Sequence, residues 1–259
     1  MTVTIQEVKK YWDDRPCNVK HSKKDLGSIE YFDEVERKRY TAEPHIPVFA
    51  DFESWKGKKV LEIGCGMATE GINFARHGAD YTGTDLSIES LNLAQKRFQV
   101  YNQRGRFFEG NAENLSAFVP AEKYDLIYSF GVIHHSPKPN LIIDQIYKYM
   151  DESSILKIML YAKNSWKNYM IDAELDQPEA QYGCPVAYTY TEDEVYELLG
   201  DQFDVLSIER DHIFPYQIEP YKKGEYIKEP WFETMPNEMF EVLEKKLGWH
   251  LLITAKLKE

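Results

Sequence analysis

The run Val60-Leu61-Glu62-Ile63-Gly64-Cys65-Gly66-Met67-Ala68-Thr69-Glu70-Gly71 constrains this chain more than any other stretch. An apolar segment that stops at two close glycines and re-emerges as a helix-forming segment reads as strand, loop and helix. Glycine in the loop lets the backbone approach a ligand closely. The helix start beyond it offers unpaired N–H groups, so the loop is a seat for a nucleoside-bearing ligand.

From Lys58 onward short apolar runs alternate with amphipathic ones, which predicts βαβ units and a parallel sheet. Strands are expected at 60–63, 80–84, 106–109, 124–130, 155–161, 203–208 and 249–257, with helices at 69–77, 88–100, 112–118 and 140–150. Ser87 is placed to cap the second of these helices, and Thr191 with Glu194 forms a capping box further on. Residues 1–55 read as an N-terminal helical extension without a core of its own, and residues 56–259 as the main domain. Two insertions interrupt that domain, near 162–190, with Tyr169, Tyr182, Tyr188 and Tyr190, and near 211–247.

The net charge of −12 argues against nucleic acid as a partner, since phosphate-backbone binding calls for a basic stripe. The three cysteines, Cys17, Cys65 and Cys184, are widely spaced and odd in number, which fits a reducing compartment and a cytoplasmic location. No leader pattern and no apolar run near the ~20 residues of a membrane span is visible, so neither secretion nor a membrane partner is expected. The sequence leaves the oligomeric state open.

The loop chemistry narrows the ligand. A dinucleotide fingerprint would place a third glycine where Thr69 stands, and no Gly-Lys-Ser/Thr follows for a phosphate loop. Asp85 ends the second strand in Gly83-Thr84-Asp85-Leu86-Ser87, 19 residues after Gly66. A carboxylate there can accept hydrogen bonds from both hydroxyls of an unphosphorylated ribose. Gly110-Asn111-Ala112-Glu113 follows the third strand, and Phe130-Gly131-Val132-Ile133-His134-His135 the fourth. In an open α/β sheet these strand ends line one crevice.

Through Glu62-Ile63-Gly64-Cys65-Gly66, Gly83-Thr84-Asp85-Leu86-Ser87, Asn111-Ala112-Glu113, Tyr124-Asp125-Leu126-Ile127 and His134-His135, residues 40–165 resemble class I S-adenosylmethionine-dependent methyltransferases of the small-molecule type. The resemblance implies an α/β, Rossmann-like, seven-stranded, mostly parallel sheet with an antiparallel last strand and helices on both faces. It implies S-adenosyl-L-methionine as cofactor, with Gly64 and Gly66 under its amino-acid part, Asp85 on the ribose, Ala112 and Glu113 near the adenine, and Phe130 and Gly131 closing the floor. Glu62, Cys65, Leu86 and Asn111 complete the set of cofactor-binding candidates. Many relatives have a third glycine at Ala68 and a Pro-Gly-Gly turn where Asp151-Glu152-Ser153-Ser154 stands.

The expected reaction moves a methyl group to an oxygen or nitrogen of a small-molecule acceptor. Other sulfonium chemistry on the same fold and a non-catalytic cofactor-binding module are the alternatives; a nicotinamide-dependent dehydrogenase is disfavoured by Thr69. Methyl transfer needs an oriented nucleophile and, for a protonated acceptor, a base. His135 and His134 are candidates at the fourth strand end, read as an extended pair with side chains pointing opposite ways. Tyr161 joins them as a catalytic candidate. Tyr11, Trp12 and Arg15 in the N-terminal arm, and Lys163 and Asn164 beyond the fifth strand, are candidate acceptor contacts. No third ligand accompanies the paired histidines, so no metal is expected.

Overall fold

The computed structural model describes residues 3–176 and 183–258. Tyr182, placed by the sequence among the inserted aromatics, lies outside them. Three helices come first: α1 (Ile5–Asp14), α2 (Ile29–Ala42) and α3 (His45–Ala50). Then follow β1 (Lys59–Ile63), α4 (Thr69–Arg76), β2 (Asp80–Asp85), α5 (Ile88–Val100), β3 (Arg106–Glu109), β4 (Leu126–Phe130), α6 (Pro139–Lys148) and β5 (Ile155–Ala162). The chain continues through α7 (Trp166–Asp172), β6 (Thr189–Tyr190), α8 (Glu192–Leu199), β7 (Phe203–Asp211), α9 (Ile218–Lys222), α10 (Pro230–Glu233), α11 (Asn237–Leu247) and β8 (His250–Leu257).

Seven strands run in the order β3-β2-β1-β4-β5-β8-β7, and the two-residue β6 pairs with β5 off this path. Pairing is parallel from β3 to β5, while β8 lies antiparallel between β5 and β7. The expected Rossmann-like sheet with an antiparallel last strand is therefore present. Side chains alternate across it with the period of two that strands impose. Ile158 and Leu160 enter one core with α6 and α8, whereas Met159 and Tyr161 enter the other with α3 and α4. Opposite Tyr161 on β8 stands His250, two residues from Leu252 on the Tyr161 face.

The expected caps are present: Ser87 caps α5, and Thr191 with Glu194 forms the capping box of α8. Residues 112–118 differ from expectation. In place of an α-helix they form a 3-10 turn kinked at Asn114, because the Asn111 side chain accepts from the Glu113 N–H and tightens the entry. From the N-terminal segment, Tyr31, Phe32 and Val35 of α2 bury against Met67 of the glycine loop. Among the described residues no helix is long and apolar enough to cross a membrane.

Candidate active site

The glycine loop is shaped from both sides. Gly64 and Cys65 both donate to the Thr84 carbonyl, at 2.7 and 2.9 Å, which folds the loop over the end of β2. Gly64 has φ +75°, and a Cβ built there would lie 2.3 Å from Val132, so only glycine fits. Beneath the loop, the fully buried Arg97 donates to the Met67 carbonyl and the Thr69 hydroxyl and, at 2.9 Å, to the Phe32 carbonyl of α2. The sequence offered no sign of this strut.

Asp85 sits where the sequence placed it. Its carboxylate accepts from the Gly66 N–H and the Ser87 N–H, both at 2.8 Å. Burial raises its pKa against these bonds, and Asp13 of α1 adds to the rise. Asp13 Oδ1 is itself buried without a hydrogen-bond partner among the described residues. Two carboxylates thus converge with acceptor capacity left over, which fits a ligand carrying paired hydroxyls.

On one side of Asp85, Lys9 of α1 donates to the Leu86 carbonyl at 2.7 Å and to Glu109 at 2.8 Å. A cleft of about 260 Å³ opens there, lined by Ile5, Gln6, Lys9, Leu86, Glu109, Gly110 and Asn111. Glu113, following Ala112, ties this end to the β4 loop by accepting from Ser136 Oγ at 2.6 Å and from Lys138 N–H at 3.2 Å. Cys65 is buried, and burial pushes its thiol well above the ordinary range. Glu62 turns back into the core, where Tyr81 donates to it at 2.5 Å. Burial, then the charge of Glu70, holds its carboxyl well above the carboxylate range.

Beyond Phe130 and Gly131 the paired histidines depart from expectation. Residues Ile133–His135 form a 3-10 turn, so the two rings do not alternate as on a strand. Both are buried, with centroids 4.3 Å apart. His135 Nδ1 lies 2.6 Å from the Val186 carbonyl, which can only accept, so Nδ1 carries the proton. Cys184 Sγ is 3.5 Å from the same nitrogen. His134 packs on Tyr161 with the rings tilted and their centroids 3.8 Å apart, and neither of its ring nitrogens has a partner among the described residues. Burial, with the charge of His135, drives its pKa well below the ordinary value.

With this geometry in place, the likeness to known proteins is informative. Residues 61–156 match the family described as methyltransferase domain. Residues 61–156 therefore carry the likeness to a methyltransferase domain. It is 31% identical over 116 residues to the ubiquinone biosynthesis O-methyltransferase of Psychrobacter cryohalolentis, covering 44% of each chain. The Actinobacillus pleuropneumoniae protein of the same name is 32% identical over 104 residues, 39% of this chain and 44% of that protein. The chain thus matches less than half the length of these curated relatives. Among solved structures, magnesium protoporphyrin IX methyltransferase from Synechocystis with bound S-adenosylhomocysteine superposes with a TM-score of 0.63 at 14% identity, covering 99% of this chain and all of that one. The cyclase SpnF reaches a TM-score of 0.63 at 17% identity, covering 99% and 97%.

The other candidate residues lie on the N-terminal arm and beyond β5. Trp12 of α1 meets the His135 ring edge-on at 5.3 Å, and Tyr11 packs against Trp12 at 4.9 Å. Arg15 is exposed, with its guanidinium 5.1 Å from the Tyr11 ring. Lys163 and Asn164 are not brought to this group. Both are exposed; Lys163 pairs with Glu194 of α8 at 2.7 Å, and the Asn164 carbonyl accepts from Arg210.

A second cluster, missed from sequence, stands beside Phe130 and Tyr161. His45, His212 and His250 meet there: His45 Nε2 is 2.9 Å from His250 Nδ1, and the His212 ring stacks on His250 at 4.5 Å. The Phe130 ring meets His250 edge-on at 5.5 Å. Arg39 of α2 lies over Phe130 at 5.6 Å and pairs with Glu70 at 2.8 Å and Glu43 at 3.3 Å. Burial lowers the pKa of His45 and of His212 to about 4. Glu43, His212 and His250 converge as a group able to hold a cation. The histidines come from three segments with no common spacing; the one local sign is Asp211 beside His212.

Proposed function

We propose that the protein transfers a methyl group from S-adenosyl-L-methionine to an oxygen or nitrogen of a small molecule. The observation that carries this reading is the Asp85 carboxylate at the end of β2, bonded to Gly66 N–H and close enough to Asp13 for the Asp13 charge to act on it. When bound, the cofactor supplies an electrophilic methyl carbon on sulfur. Asp85 and Asp13 hold the ribose hydroxyls, the Gly64–Gly66 backbone lies along the amino-acid part, and Phe130 with Gly131 forms the floor. Ala112 and Glu113 border the adenine.

His135 is the base in this reading. Its Nδ1–H is fixed by the Val186 carbonyl, which orients the ring to take the acceptor's proton as the new bond forms. Trp12 and Tyr11 cover this edge, so residues 1–55 act as a lid carrying part of the site. Oxygen is the favoured acceptor atom, because the curated relatives are named O-methyltransferases. A net charge of −12 disfavours nucleic acid as acceptor, and the free cysteines Cys17, Cys65 and Cys184 suit a cytoplasmic enzyme.

The test has two parts. Calorimetry is expected to detect S-adenosylhomocysteine binding, and a metabolite extract with methyl-labelled cofactor is expected to yield labelled product and S-adenosylhomocysteine. His135→Ala should lower turnover by about a hundredfold or more while leaving cofactor affinity in place. Methylthioadenosine as the by-product would overturn methyl transfer, and unchanged turnover in the variant would remove His135 from the chemistry.

A further inference from the structure

The histidine cluster beside Phe130 has a proton shortage that the methyl-transfer reading leaves unused. One proton lies between His45 Nε2 and His250 Nδ1, which are 2.9 Å apart. Two neutral imidazoles carry one ring proton each, so a single further proton must serve two ends. At one end His45 Nδ1 stands 3.6 Å from Asp211; at the other, His250 Nε2 stands 3.9 Å from Glu43 Oε1. Whichever end takes the proton, the other sets a nitrogen lone pair against a carboxylate oxygen in a largely buried setting. A cation relieves that opposition where donors converge.

The donors converge at the Glu43 end. Ligand atoms of Glu43, His212 and His250 all lie within 4.8 Å of one another. Zinc with arms of about 2.0–2.1 Å holds tetrahedral ligands roughly 3.3 Å apart, so modest side-chain rotation closes the set. His250 then has the arrangement usual for a ligand histidine, with its far N–H donated to His45 and His45 turned towards Asp211.

His212 supplies a second, independent sign. Its backbone is held at φ +76°, a strained conformation for a residue with a Cβ. Its N–H donates to Asp211 Oδ1 at 2.8 Å, and its carbonyl accepts from Trp249 N–H at 2.8 Å; both bonds hold the ring over His250. That ring makes no hydrogen bond among the described residues.

We infer that Glu43, His212 and His250 bind a divalent transition-metal ion of the zinc class, with a further position open to an oxygen of the acceptor. The three-donor set leaves the coordination incomplete, and the open side adjoins Phe130 and Tyr161. The metal site stands on its own geometry; the acceptor's part rests on the methyl-transfer reading.

Zinc titrated calorimetrically into full-length protein stripped with EDTA should bind at one equivalent. His212→Gln, checked for folding by circular dichroism and by retained S-adenosylhomocysteine affinity, should weaken binding by about a hundredfold. In the unaltered protein, cobalt(II) should give the visible absorption of a low-symmetry site, and acetohydroxamate should shift it by occupying the open position. Failure of the unaltered protein to bind either metal stoichiometrically, or undiminished zinc binding by His212→Gln, overturns the site. A cobalt spectrum indifferent to acetohydroxamate overturns the open position. S-adenosylhomocysteine titrated into the same samples reads the cofactor assignment separately, so its failure with zinc bound would sink that assignment and leave the metal site standing.

Discussion

On the cofactor side, polar groups are supplied by successive strand ends and satisfied largely by backbone. Asp85 accepts from Gly66 and Ser87, Asn111 accepts from Glu113, and the loop N–H groups meet the Thr84 carbonyl. On the acceptor side, side chains meet other side chains: His45 joins His250 across 205 residues of sequence, His134 packs on Tyr161, and Asp211 takes Lys245. Backbone-held groups are as rigid as the sheet that carries them. Groups held by one another can be rearranged by a single substitution, which suits the half of the pocket proposed to receive the acceptor.

Breaking the backbone of the first half should cost the most. Gly64→Ala combines a positive φ with a Cβ 2.3 Å from Val132, and should lower unfolding free energy by about 3 kcal/mol or more. Urea unfolding measures this, and adding Val132→Ala should restore part of the loss. A neutral Gly64→Ala would mean that the loop is not pinned and that the contrast between the two halves is false.

Asp85→Ala tests the same half through its ligand. Removing a charged acceptor from two hydroxyls should weaken S-adenosylhomocysteine by about thirty- to a hundredfold, roughly 2–3 kcal/mol, with unfolding changed much less. Calorimetry decides. Affinity that survives the substitution would move the ribose away from β2.

The same division explains what could be read in the chain. Strands and glycine loop show in the sequence because periodicity and spacing are local properties, and Asp85 is tied to Gly66 by the parallel pairing of adjacent strands. The turn at His134-His135 was misread as extended because a 3-10 turn of three residues has no periodic signature. Lys163 was expected over the pocket from its place after β5, yet Glu194 at the start of α8 draws it outward. His45, His212 and His250 meet only because antiparallel β8 carries His250 back beside the carboxyl end of β5 and α3 folds over that face.

The smallest effect concerns pH and falls on the acceptor half. His134 is fully buried, its ring has no hydrogen-bond partner among the described residues, and its pKa in the folded protein lies well below the ordinary value near 6.5. Below that value the unfolded chain binds a proton that the folded chain refuses, so stability must fall as the solution is acidified and rise again as pH is raised towards neutrality. One such group adds about 1.4 kcal/mol per pH unit to the slope. His134→Asn removes that proton, and urea unfolding at pH 7 and pH 5 should show a shallower loss in the variant. Equal slopes would mean that His134 can take up a proton in the folded state, and therefore that it has an acceptor beside it. The acceptor half would then be less dry than its packing against Tyr161 implies.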